Sequence, residues 1–298
     1  MNYGITKLTI GFPGFVEIEE HEYSKYVQAI NGLAEALYLE EKFDFVACNF
    51  LEYEEDLLSL GARHMVSPSQ FFDRGHEERR AISRRIINLL SASRLFLDQS
   101  THHLSNIYGS DSLQVDLIKE EKSKQYDKLL GYRVMEALRN HVQHRGYPIH
   151  TITYASHKVE DYVLHTVIPQ MEIRYFLDDK KFKSSVLSEI KDLGQKISIN
   201  RYIREFMEGL EAVQSKIRDV LIEDLMSWEN LLNDIEARFK AANGSQVSLA
   251  GLAVVIENDK RYVETHSVVA DIMKRRKALA NKNTGFNNLS SQYVSDKT

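Results

Sequence analysis

Apolar residues recur at three- and four-residue steps over most of the chain, a period that predicts long amphipathic helices. The first runs from about Glu19 to His64 on Tyr23, Tyr26, Val27, Ile30, Leu33 and Leu37, with a break expected near Lys42–Asp44. Ser67-Pro68-Ser69 marks a turn. A second helix is expected from Glu77 to about Leu104, with Ile82, Ile86, Leu89, Leu90 and Leu97 on one face. After the turn residues of Asn106–Ser112, a third runs from Leu113 to Arg145 on Leu117, Tyr126, Leu130, Val134 and Leu138. Its stop is written in Gly146, suited to a left-handed cap, and in Pro148, which forbids continuation. A fourth spans Ile199–Ala242, closed by Asn243-Gly244; its stripe reads as core or subunit interface, and Trp228 as an anchor in the same packing.

Shorter segments carry a different signal. Ile5–Ile10 alternates like a strand and ends in Gly11-Phe12-Pro13-Gly14. Ile149–Tyr154 and Asp161–Ile173 are rich in β-branched and aromatic residues and predict a β-hairpin or short strands. Helical patterning resumes near Lys183. Ser248–Ala280 supports two readings, a pair of strands (Ala253–Ile256 and Tyr262–Val269) around Asn258-Asp259, or a helix. The fold class is therefore mainly α: a helical bundle with a small β-hairpin and a C-terminal helical extension. Residues 1–175 are expected to form the first domain and 176–280 a helical region. The polar residues 281–298 are expected to be disordered.

Composition narrows the function classes. Only 14 Gly and 4 Pro punctuate 298 residues, in keeping with long helices. The net charge of −5 argues against bulk coating of nucleic acid but leaves room for a local basic site. One cysteine, Cys48, excludes an intramolecular disulfide and multi-cysteine zinc sites; its apolar surroundings suggest a buried structural thiol. No apolar run approaches the ~20 residues of a membrane span, and the N-terminus lacks a signal peptide's pattern, so no membrane partner and a cytoplasmic location are expected. There is no Gly-rich phosphate loop, nucleophile elbow or dinucleotide fingerprint, and no cofactor is expected. His141, His144 and His150 offer three nitrogens, but their spacing is a poor metal signature, and no metal site is expected.

The segment Arg139-Asn140-His141-Val142-Gln143-His144 closes the third helix and carries the chemistry. Asn140 and His144 are four apart and share a helix face; Arg139 lies about 140° from His144 on an ideal helix. Histidine exchanges protons near neutral pH, as base or as acid, and the helix C-terminus favours its charged form. Arginine holds phosphate oxygens by a bidentate fork. Asparagine can orient either group. The set suits cleavage of an RNA phosphodiester without metal.

This Arg139-Asn140-x-x-x-His144 pattern, late in an amphipathic helix, resembles the signature of the HEPN superfamily (higher eukaryotes and prokaryotes nucleotide-binding), over roughly residues Arg74–His150. The resemblance implies an α-helical fold and a homodimer formed through the motif helices. It also implies metal-independent endoribonuclease activity, in toxin–antitoxin or phage-defence settings with an antitoxin or defence partner. Arg139 and His144 would be catalytic and Asn140 supporting; His141 falls at a variable position and inherits no role. Some members keep the fold without activity, so a non-catalytic module binding RNA, nucleotide or a protein partner is the alternative.

Outside the motif, Arg80 and Arg84 lie one turn apart and could track an RNA backbone; the plainer reading is a solvated face paired with Glu77 and Glu78. Lys274-Arg275-Arg276-Lys277 reads as a solvated helix end.

Overall fold

The computed structural model describes residues 1–9, 14–67, 71–259, 261–269 and 271–292, without the side chains of 71–73. The chain is mostly helical with two small antiparallel sheets. Its contacts divide it into two compact units that interleave along the sequence: Met1–Glu41, Ser100–Asp116 and Ile217–Thr284 in one, and Lys42–Gln99, Leu117–Lys216 and Gly285–Thr298 in the other. The sequential division expected at residue 175 is thus not where contacts separate the chain. The long helices run through both units, so no linear boundary could do so.

Helix α1 spans Glu20–Val66 without the break expected near Lys42–Asp44. Phe43 and Val46 are fully buried there and keep the apolar face continuous, and no Gly or Pro lies between Gly32 and Gly61. Helix α2 spans Phe71–Tyr108, six residues earlier than its expected start. The single helix expected from Leu113 to Arg145 is two, α3 (Leu113–Lys128) and α4 (Leu130–His144), because Leu129 is extended at φ −108° and ψ 119°. Neither Gly nor Pro marks this break. The Arg133 guanidinium donates to the carbonyls of Tyr126 and Asp127 at 3.0 and 2.7 Å, satisfying acceptors at the end of α3.

In the first unit, strands β1 (Asn2–Lys7), β2 (Phe15–Ile18), β6 (Leu252–Asn258) and β7 (Arg261–Ser267) form a sheet in the order β2-β1-β6-β7. The first strand begins earlier than expected, β2 was not foreseen, and the turn expected at residues 11–14 lies largely outside the described residues. Of the two readings of Ser248–Ala280, the strand pair around Asn258-Asp259 holds, with Asp259 left-handed at φ 49°. The central strand β6 is buried from Leu252 to Val255, whereas β7 is an exposed edge. The unit also contains parts of α2 and of α6 (Asn200–Asn243), and helix α7 (Ile272–Lys282). Trp228 is buried as expected. Arg218 of α6 holds Glu40 of α1 by two hydrogen bonds of 2.9 and 2.7 Å.

In the second unit, β3 (Thr151–Val159) and β4 (Tyr162–Glu172) make the expected hairpin, and β5 (Lys196–Ser198) adds a short third strand along Gln170–Glu172. Helix α5 spans Ser184–Ile190. Two glycines let α4 approach α6 closely. A Cβ on Gly131 would lie 2.6 Å from Glu205 Cβ and from the Tyr202 carbonyl oxygen, and one on Gly209 2.6 Å from the Tyr132 ring. The Gly131 amide donates to Glu205 Oε2 at 2.9 Å. The tail expected to be disordered is packed as far as residue 292: Phe286 meets Phe43 and Phe50 edge-on, and the Ser290 amide donates to Glu208 at 2.8 Å. An aromatic anchor in a polar sequence is what holds it. Residues 293–298 lie outside the described residues.

Candidate functional site

Helix α4 is strongly amphipathic, and its sequence decides which motif residues reach solvent. Tyr132, Met135 and Leu138 sit on the buried side with Val134, Ala137 and His141. Asn140 and His144 are exposed on the other side, and Arg139 stands between the two. Its Nη1 donates to Asn140 Oδ1 at 3.4 Å. The structure thus bonds Arg139 to Asn140, while His144 shares the exposed side with Asn140 and lies about 140° around the helix from Arg139.

Arg139 opens on a groove of about 340 Å³ between α2 and α4. Ile87, Leu90 and Val142 line it with apolar surface; Arg94 and Gln143 add polar groups. Arg94 comes from α2, and sequence reasoning did not single it out for the site. Its Nε lies 2.7 Å from Asp98 Oδ2, one turn further along α2, as an ion pair. Burial raises the Glu136 carboxyl above its ordinary range, and Asp98 adds to this, against the opposing pull of Arg94 and Arg139. Lys122 is pushed down to about 8 by burial, while its amine donates to the Leu97 carbonyl at 2.5 Å. Two arginines thus face a partly apolar groove whose nearby carboxylates are Asp98 and Glu136.

At ~100° per residue, Arg80, Arg84, Ile87, Ser91 and Arg94 fall within about 80° on α2. Arg80 and Arg84 are exposed, and among the described residues neither forms an ion pair with Glu77 or Glu78. Their neighbours differ. Arg85 is held by Glu52 and Asp56, and the Arg79 guanidinium lies 5.0 Å over the ring of Tyr147 just beyond α4. Tyr147 is 50% exposed.

The end of α4 is built differently from the expected cap. Gly146 is not left-handed. Arg145 ends the helix at φ −137°, and the amides of Arg145 and Gly146 both reach the His141 carbonyl, at 2.8 and 3.4 Å. The position is close to the buried ring: a Cβ here would come 3.1 Å from His141 Nε2, so a larger residue requires a shift of a few tenths of an ångström.

His141, to which the motif assigned no role, is the buried histidine. Its Nδ1 is 2.6 Å from Asp179 Oδ2, and both side chains are almost fully enclosed, at 4% and 3% exposure. The ring meets Phe176 edge-on at 4.7 Å. Burial raises the Asp179 carboxyl, but the Lys181 amide and the His141 imidazole outweigh it and hold it below its ordinary value. Beside this pair His150 stacks on Tyr175 at 4.0 Å and accepts the Glu172 amide on Nδ1 at 3.1 Å. Burial pushes His150 down to about 4. One signal for His141 was available in the sequence: it continues the Val134, Leu138 spacing of the buried face.

The three histidines at positions 141, 144 and 150 therefore have separate environments. Among the described residues no group of three metal-ligating side chains is assembled, and no helix is long and apolar enough to cross a membrane. Cys48 is half-buried, 3.8 Å from Asp44. In the basic run of α7, Arg275 pairs with Glu41, and Arg276 and Lys277 with Glu229, which accounts for three of its four charges.

The chain matches no protein-family model, no curated protein and no solved structure. The resemblance of its motif helix therefore stands on the motif alone.

Proposed function

We propose that the chain is a metal-independent endoribonuclease of HEPN type. The observation that carries this reading is the placement of Arg139: it faces an open groove beside Arg94, with Asn140 as its neighbour and no carboxylate bonded to it among the described residues. A guanidinium so placed fits an RNA phosphate and the charge that grows on it. His144, exposed one turn beyond Asn140, is the proton-handling group. The 2′-oxygen attacks phosphorus as its proton leaves to a base, and the phosphorus–O5′ bond breaks as the 5′-oxygen gains a proton. The products are a 2′,3′-cyclic phosphate and a 5′-hydroxyl.

Because Arg139 and His144 diverge within one chain, the site is a shared one. A homodimer through the motif helices sets the His144 of one copy beside the Arg139 of the other. A role as toxin or phage-defence effector, with an antitoxin or defence partner, belongs to the same proposal. The divergence also favours the second reading, a helical module that binds RNA without cutting it.

The test is RNA incubated with purified protein in EDTA, with Arg139→Ala and His144→Ala alongside. Cleavage to cyclic-phosphate ends by the wild type alone supports the nuclease. Cleavage that survives both substitutions, or that EDTA abolishes, overturns it. Binding without cleavage assigns the chain to the second reading.

A further inference from the structure

The second half of helix α1 carries two apolar faces, and only one of them is used by the core. Phe43, Val46, Phe50, Tyr53, Leu57 and Leu60 are buried and fall within about 100° of arc. Leu51, Leu58 and Met65 form a second stripe, each seven residues from the next and all within about 40° of one another. They are 56%, 51% and 59% exposed. Ion pairs border the stripe on both flanks. Glu54 is held by Arg204 of α6 on one, and Glu52 and Asp56 by Arg85 of α2 on the other. Ala62 lies in the open arc between them and is also exposed.

Large apolar side chains at seven-residue intervals follow the spacing at which two helices keep a common seam. A scattered exposed leucine is ordinary, but three such residues on one face make a surface suited to being covered. The period calls for a helix, and the charges beside the stripe select which one. Glu55 and Arg63 are both exposed, and neither forms an ion pair among the described residues. Both lie on the flank of the stripe that faces α2.

Against a parallel copy of α1, this flank would meet the opposite flank of the second helix, and Glu55 and Arg63 would stay apart. Against an antiparallel copy, like flanks meet, and Glu55 of each chain faces Arg63 of the other. The register that aligns these charges is centred on Ser59. In that register Leu58 lies about 3 Å along the axis from the second copy's Leu58, and Leu51 about 3 Å from its Met65. Such offsets let the side chains interdigitate, and the small Ala62 permits close approach. One register therefore satisfies the charges and the apolar stripe together.

We infer that the second half of α1 pairs antiparallel with the same segment of a second copy of this chain, across a two-fold axis near Ser59. This interface is separate from the motif-helix dimer proposed above and does not rest on the ribonuclease reading. A chain with both interfaces assembles beyond the dimer.

The experiment measures the mass of the full chain by light scattering after size-exclusion chromatography, over a range of protein concentrations. Leu58→Glu sets two carboxylates against each other at the axis and is expected to remove the interface. The product is a monomer if α1 is the sole contact and a dimer if the motif helices also pair. Glu55→Arg and Arg63→Glu are each expected to weaken association about tenfold, and the two reversals in one chain to restore it to within about threefold of wild type. Restoration belongs to the antiparallel register, in which the exchanged charges still face each other. Thermal melts verify folding, and Leu51→Glu carries the test should Leu58→Glu not fold. A monomeric wild type, which leaves the stripe to a different protein, overturns the inference. So does an unchanged mass in Leu58→Glu, or a double reversal no tighter than the single ones. The two interfaces are read apart: a wild-type dimer that Leu58→Glu splits keeps this one and removes the motif-helix dimer, and a dimer that it leaves intact does the reverse.

Discussion

Asp179 and His141 lie 38 positions apart in sequence and meet at 2.6 Å, both buried, where the loop after β4 closes over the end of the motif helix. A carboxylate this enclosed requires its donors, and they are the imidazole and the Lys181 amide, the latter at 2.8 Å. Asp179→Ala leaves the imidazole Nδ1 buried without a partner. The expected loss is about 2–3 kcal/mol, read as a lower urea midpoint at unchanged slope. Asp179→Asn keeps an acceptor and is expected to lose less. Equal midpoints for wild type and Asp179→Ala would show that the pair does not hold the helix end.

His150 makes the stability depend on pH in a stated direction. Its folded value is about 4, against 6.5 for an ordinary histidine. Between those values the unfolded chain binds a proton that the folded chain refuses, so stability declines as pH falls from about 6.5 to about 4. Above that window the group contributes nothing. Asp179, held below its ordinary value, adds its own loss only at lower pH, as its carboxylate is protonated. His150→Gln is expected to flatten the decline between pH 7 and pH 5 in urea titrations; an unchanged decline would remove His150 as its source.

Gly131 and Gly209 are expected to resist replacement although both lie inside helices. Alanine at either position drives a methyl into Glu205 or Tyr132, and the overpacking costs about 1–3 kcal/mol. At Gly75, where nothing among the described residues lies within 4 Å, the same change is expected to stabilise by up to about 1 kcal/mol through helix propensity. A common sign for the three variants in thermal melts would count against close approach of α4 and α6.

Arg139→Ala and His144→Ala separate chemistry from folding. Both side chains lie outside the core, so stability is expected to stay within about 0.5 kcal/mol of wild type. The cleavage rate is expected to fall at least ~100-fold in each. A fall in rate accompanied by a matching fall in melting temperature would trace the effect to folding.

The long helices were legible because their 3.6-residue stripes extend over many turns, as in α1 and α6. The break at Leu129 was not, since the group that caps α3 is the Arg133 side chain and the contact that positions α4 is made by Gly131 against a helix some seventy residues later. Strand β2 is four residues long and has its partner in β1, too little for a periodic signal. Of the candidate site, the motif's place on a helix end was readable, as was the divergence of Arg139 from His144. The neighbours that give the site its surroundings, Arg94, Tyr147 under Arg79, and Asp179, come from other elements and enter only through tertiary contact. His141 is the opposite case: its spacing from Val134 and Leu138 already marks the buried face, although it falls between the motif's fixed positions.

The interleaving of the two units bears on how this chain can be synthesised into its fold. The first 99 residues hold a part of each unit and the whole of neither, and the first unit is not complete until Thr284 has been made. Most multi-unit chains fold their N-terminal portion while the rest is still being translated. Here that order is closed. Helices α1 and α2 leave the ribosome before α6, against which Gly32 of α1 and Tyr108 of α2 pack at Trp228 and Asp224, so nascent chains of this protein are expected to depend on protection until α6 has been made.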